Sequence, residues 1–155
     1  MLSDRLKTYE FFLDLDGVLV DFDKSKHRLK FRSDKEMWAE VDKTPHWFLT
    51  LDPMPDHMDL WNFLRHYQVT ILTAIPKTAQ KEHAAQDKRD WVMNYIQPDV
   101  HIITCFGAEK QNYAHPKGIL IDDTGRNIGQ WMNKGGIGIL HRDARTTIDI
   151  LKEMK

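Results

Sequence analysis

The 155-residue chain carries 22 basic and 23 acidic residues in no long blocks, for a formal charge of −1, which excludes the basic footprint of a protein that coats nucleic acid. Its length suits one domain, residues 1–155, with a real core and room for no more than a small insert. Cys105 is the sole cysteine and the eight histidines lack metal-ligand spacing, so a disulfide framework and structural zinc are excluded and a reducing, cytoplasmic setting is expected.

The opening MLSDRLKTYE has no signal-peptide core, and no apolar run approaches the ~20 residues of a membrane span, so a soluble protein with no membrane partner is expected. EFFLDL (10–15) is compact and apolar, as a strand buried on both faces must be, and it runs into Asp14, Asp16 and Gly17. Residues 21–52 carry no strand pattern but contain SDKEMWAEV, where Ser33 and Glu36 have capping-box spacing; a small helical insert after the first strand is predicted there. An amphipathic segment at 55–67 then leads into a second strand, VTILTA (69–74), and a helix at 78–96. VHIITCF (100–106) and GILID (118–122) follow as strands, with FGAEKQNYA between them. A helix at 124–133, with Thr124 as N-cap and Gly135 or Gly136 as stop, a strand IGILH (137–141) and a helix at 143–154 complete the chain. KGGIG (134–138) has a phosphate-loop look, yet it follows a helix and precedes a strand, the reverse of the phosphate-binding order, and reads as a helix stop. The alternation predicts an α/β fold: a Rossmann-like, mainly parallel five-stranded sheet flanked by helices.

In such a sheet ligands bind at the carboxyl ends of the strands. Asp14 and Asp16, Thr73 and Ala74, and Asp122 and Asp123 all stand at such ends, and Lys110 lies a few residues beyond a fourth. Four carboxylates on one rim repel one another unless a cation sits among them, and a hard, oxygen-preferring ion such as Mg²⁺ is the natural occupant. Each motif alone has an ordinary reading: D-x-D-G suits a turn, Asp122-Asp123 supplies charge at a helix N-terminus, and Thr73 is a common strand residue. Their joint order on the strand ends is what points to catalysis.

DLDGV, an insert, ILTA, a lysine and ILIDD, in that order, resemble the haloacid dehalogenase superfamily of aspartyl-phosphate enzymes over nearly the whole chain. Within it, GVLVDF, HWFLTLDPMPD and DKRDWVMNYI resemble the 5'(3')-deoxyribonucleotidases, with two departures: Ala74-Ile75-Pro76 stands where those enzymes usually carry Ser-Pro, and the insert is shorter than their helical cap. The resemblance implies a Mg²⁺-dependent phosphatase acting on a small phosphate monoester, foremost a nucleotide. Asp14 is then the nucleophile, Asp16 the general acid and base, and Thr73, Ala74 and Lys110 the phosphate's partners, with Lys117 and Lys88 as alternatives for the lysine. Asp14, the Asp16 carbonyl and Asp123 would hold the metal, and Asp122 would orient Lys110 or a metal water.

Phe22 is the expected stacking surface for a base, and Trp47 and Phe48 either face the substrate or cement the insert, whereas Trp38 is expected to pack. Trp61, Phe63, Leu64, Trp91, Val92 and Tyr95 read as core. Two alternatives stand beside the nucleotidase reading. One is another phosphatase of the superfamily, for a sugar phosphate or a nucleic-acid terminal phosphate. The other is a phospho-aspartate receiver, which normally has its adjacent acid pair on the first strand, whereas here that pair comes late.

Overall fold

A computed structural model describes residues 4–29, 31–78 and 80–154; Lys30, in the predicted insert, and Ala79, in the predicted helix 78–96, lie outside the described residues. The strands β1 (Glu10–Leu13), β2 (Gln68–Ala74), β3 (His101–Cys105), β4 (Gly118–Asp122) and β5 (Ile137–Leu140) form one parallel sheet in the order β3-β2-β1-β4-β5. The chain builds outward from β1 to β3 and then returns to lay β4 on the other side of β1. The connections leaving β1 and β4 therefore run to opposite sides, which puts the topological switch point between these strands at the carboxyl edge.

The helices are α1 (Phe22–His27), α2 (Asp34–Val41), α3 (His57–Leu64), α4 (Lys81–Tyr95), α5 (Gly125–Asn133) and α6 (Ala144–Glu153), and short 3₁₀ turns cover Trp47–Thr50 and Gly107–Tyr113. Strand side chains alternate between faces, and the two buried clusters follow that alternation. Phe11, Leu13, Ile71, Ile119 and Ile121 meet Leu60, Leu64, Trp91, Val92 and Leu151 on one face. Phe12, Leu72 and Leu120 meet Ile128 and Trp131 of α5 on the other. Trp61, Leu64, Trp91 and Val92 are core as expected, but Tyr95 is 41% exposed. At the end of α5 the amides of Gly135 and Gly136 close back onto the carbonyls of Met132 and Trp131, and Gly135 has φ +89, the left-handed stop expected of KGGIG. Among the described residues no helix is long and apolar enough to cross a membrane.

The insert between β1 and β2 is helical, and Ser33 caps α2 by accepting from the Glu36 amide at 3.2 Å. The Glu36 carboxylate reaches back to the amide of Arg32 at 2.7 Å, one residue before the cap. The start of α4 pins the far end of the insert. The Gln80 amide group donates to the carbonyls of Val41 at 3.0 Å and Thr44 at 2.7 Å, and the Asp42 carboxylate accepts from the Thr78 hydroxyl and the Gln80 backbone amide. His46, with φ 57, sits 2.8 Å from the buried Asp87 carboxylate, and the Trp91 indole donates to the Leu51 carbonyl at 2.8 Å. Gln80→Ala removes the partner of two carbonyls and is expected to destabilise the fold by about 1–3 kcal/mol. Urea denaturation checks this; an unchanged midpoint would show that the insert is held without Gln80.

Candidate active site

Strand register assembles the site. Leu13 lies opposite Ile121 of β4 and Ile71 of β2, so one step further brings Asp14 beside Asp122, and two steps along β2 lies Thr73. The Asp14 amide donates to the Ile121 carbonyl at 2.9 Å, which fixes that alignment beyond the last strand residue. Next, the backbone turns: Gly17 has φ +83, and a Cβ there would drive into the Asp123 carboxylate. Glycine at 17 is what lets the D-x-D loop and the Asp122-Asp123 loop close on each other.

Lys110 sits in the 3₁₀ turn after β3, 2% exposed, and donates to Asp14 Oδ1 at 2.8 Å and Asp122 Oδ2 at 2.9 Å. Asp122 is fully buried and held on all sides: its Oδ1 accepts from the Thr124 amide at 2.8 Å, and its Oδ2 also accepts from the Asn127 side chain at 3.1 Å. Asp122 thus orients Lys110. Burial pushes the Asp14 carboxyl well above the usual carboxylate range, against the opposing pull of Lys110. For Lys110, burial disfavours the charge, but the two carboxylates outweigh it and hold the ammonium above its ordinary range. Asp123 is also pushed up, by burial first and by the neighbouring Asp122 next.

The structure gives a second lysine a place beside this one. Lys88 of α4, 1% exposed, donates to Asp16 Oδ2 at 2.7 Å, Thr73 Oγ1 at 3.1 Å and the Ala74 carbonyl at 2.6 Å. Lys117, the other rival, lies over the ring of Tyr9, 4.8 Å from its centroid. Lys88, an alternative to Lys110 on the sequence, thus stands beside it, whereas no sequence pattern singles out Asn127; its signal is spacing, five residues after Asp122 on the inner side of the following helix.

Carboxylate oxygens of Asp14, Asp122 and Asp123 lie within 4.8 Å of one another. With Asp16 the rim carries four carboxylates against the two ammoniums of Lys88 and Lys110, an excess of two negative charges. That balance and the all-oxygen donor set fit a hard divalent cation.

Above this floor lies a cleft of about 280 Å³, whose lining includes Phe22, Trp38, Phe48, Ala74, Ile75 and Pro76. Phe22 and Phe48 reach the cleft. Trp47 does not line it: it stands behind Phe22, edge-on at 5.4 Å, and is 5% exposed. Trp38 packs against the core, as expected, and is also part of the lining, its ring centroid 6.2 Å from that of Phe22. Trp47 and Phe48 follow the left-handed residue His46, and of the two Phe48 is part of the lining.

No protein-family model matches the chain. Its fold is that of the haloacid dehalogenase-like hydrolases. A haloacid dehalogenase-like family hydrolase from Streptococcus pneumoniae superposes with a TM-score of 0.56 at 15% identity, over 85% of this chain and 83% of that one. A family enzyme from Bacteroides thetaiotaomicron superposes with a TM-score of 0.52 at 13% identity, over 94% and 98%. In sequence, the chain is similar to a Vibrio phage KVP40 protein named "Putative 5'(3')-deoxyribonucleotidase", 29% identical over 126 residues, which is 79% of this chain and 71% of that protein.

Lys110→Met leaves Asp14 and Asp122 buried without their cation, a change that costs about 3–5 kcal/mol where a buried pair is broken. Losing the cation raises the folded-state pKa of Asp14 further above its unfolded value. Stability relative to wild type is then lost as pH rises from the unfolded value through the folded one and recovered as pH falls below both. Denaturation near pH 7.5 and near pH 5 should show the larger deficit at the higher pH; an equal deficit at both would mean that Asp14 is not a charged partner of Lys110.

Proposed function

We propose that the chain is a phosphoric monoester hydrolase that works through a phospho-aspartate on Asp14 and acts on deoxynucleoside monophosphates. The observation that carries this is Asp14 held beside Asp122 by one lysine, 2.8 and 2.9 Å away, at the switch point of a parallel sheet. Asp14 Oδ1 also accepts from the Leu15 amide at 2.8 Å, so the nucleophile is oriented from two sides. Similarity to the phage nucleotidase-named protein supports the substrate class.

A carboxylate oxygen of Asp14 bonds to phosphorus as the ester oxygen leaves, and Asp16, at the cleft wall, gives that oxygen a proton. Water then attacks the phosphorus of the phospho-aspartate, Asp16 takes a proton from that water, and the P–O bond to Asp14 breaks to release phosphate. Lys110 pulls Asp14 toward its anionic form against burial and stabilises the spread charge of the transferring group. Mg²⁺, held by Asp14, Asp123 and the Asp16 carbonyl, would supply Lewis-acid neutralisation of the phosphoryl oxygens. The apolar cleft beside it, with Phe22, Trp38 and Phe48, offers flat surface to a nucleobase. A cytoplasmic setting accords with a single, buried cysteine.

With Mg²⁺, a panel of deoxynucleoside and ribonucleoside monophosphates, sugar phosphates and a phosphorylated oligonucleotide tests this reading. Hydrolysis of the deoxynucleoside monophosphates should lead, and Asp14→Asn or removal of Mg²⁺ should abolish it while the fold persists. Leading activity on sugar phosphates would overturn the nucleotide assignment, and full activity of Asp14→Asn would overturn the covalent route.

Phe22→Ala should raise KM for nucleotides about tenfold to a hundredfold, since stacking a base on an aromatic is worth ~1–3 kcal/mol. Hydrolysis of a small phosphate ester without a base should hardly change. Equal losses on both substrates would make Phe22 a packing residue.

A further inference from the structure

Lys88 is a buried cation that the hydrolase mechanism above does not use. Its ammonium has three protons, and three acceptors surround it: Asp16 Oδ2 at 2.7 Å, Ala74 O at 2.6 Å and Thr73 Oγ1 at 3.1 Å. Its remaining side faces the ring of Phe48, 4.4 Å from the centroid. With every donor engaged and an aromatic ring covering the rest, this lysine has nothing left for an incoming phosphate. Lys110 differs, since it lines the cleft itself.

What Lys88 does hold is informative. Asp16 lies on the loop past β1, and its side chain is 26% exposed against 8% for Asp14 and none for Asp122. An exposed carboxylate samples several rotamers, and a group that must meet both a leaving oxygen and an attacking water has to be kept from doing so. Lys88 grips one of its oxygens from the α4 side, which leaves the other for the cleft. The same ammonium grips the end of β2, so the acid of the D-x-D loop and the hydroxyl of Thr73 are tied to one rigid point.

We infer that Lys88 is the positioning residue for Asp16: it fixes the carboxylate in its working orientation and binds no phosphate itself. This rests on the hydrolase reading, so the wild type and Asp14→Asn frame the test. Lys88→Met keeps the length and removes the charge. It should lower kcat toward nucleoside monophosphates by roughly a hundredfold, the scale of loss for a reacting group misplaced by about 1 Å, with KM nearly unchanged. Asp16→Asn combined with Lys88→Met should be no slower than Asp16→Asn alone, because residues that act as one unit do not add.

A large rise in KM at constant kcat would make Lys88 a phosphate ligand and overturn the proposal. Fully additive losses in the double variant would also overturn it, by showing that Lys88 works without Asp16. If Lys88→Met does not fold cooperatively, Lys88→Arg provides the same test: its planar head cannot meet all three acceptors as the ammonium does, so kcat should fall with KM kept, and wild-type kcat would overturn the proposal. A wild type inactive on the whole panel would instead bring down the hydrolase reading.

Discussion

The Lys110 ammonium, 2.8 Å from Asp14 and 2.9 Å from Asp122, allows adjoining strands to end in buried carboxylates. Desolvation pushes Asp14 toward its neutral form, and Lys110 pulls against it. The two acids in turn hold the lysine's ammonium above its ordinary range against its own burial. Asp122 is held in turn, its oxygens taken up by Lys110, Thr124 and Asn127.

The two lysines divide the rim between them. Lys110 serves the acid at the end of β1 and is part of the cleft lining, whereas Lys88 serves the acid two residues on and is sealed under Phe48. Four carboxylates and two ammoniums leave the rim two charges negative, which a divalent cation would balance before a phosphate dianion arrives. Electrostatics and topology therefore agree on where the chemistry sits.

The insert is attached through the same helix that carries Lys88. Gln80, Asp87 and Trp91 of the α4 region hold residues 41–51, and Lys88, between them in sequence, touches Phe48 of that segment. The aromatic wall and Asp16 thus share one support, so a shift of α4 would move both. Phe22 enters from α1 and is backed by Trp47, which makes its ring part of a packed aromatic group rather than a loose surface side chain.

The strands, the helices between them and the clustering of Asp14, Asp16, Thr73, Lys110, Asp122 and Asp123 were legible in the sequence, because buried parallel strands are short apolar runs and their carboxyl ends must converge. The helical character of the insert was legible from the Ser33 and Glu36 spacing, which is a local signal. What only the tertiary structure decided was which side chains face one another across elements distant in the chain. Lys88 meets Asp16 from 72 residues away, and no periodicity within α4 marks that position among its neighbours. Trp38 and Phe48 line the cleft while Trp47 stands behind Phe22. Which of these rings meets the cleft is set by the path of the backbone, since a ring's direction depends on torsions and anchors that lie outside its own stretch of sequence.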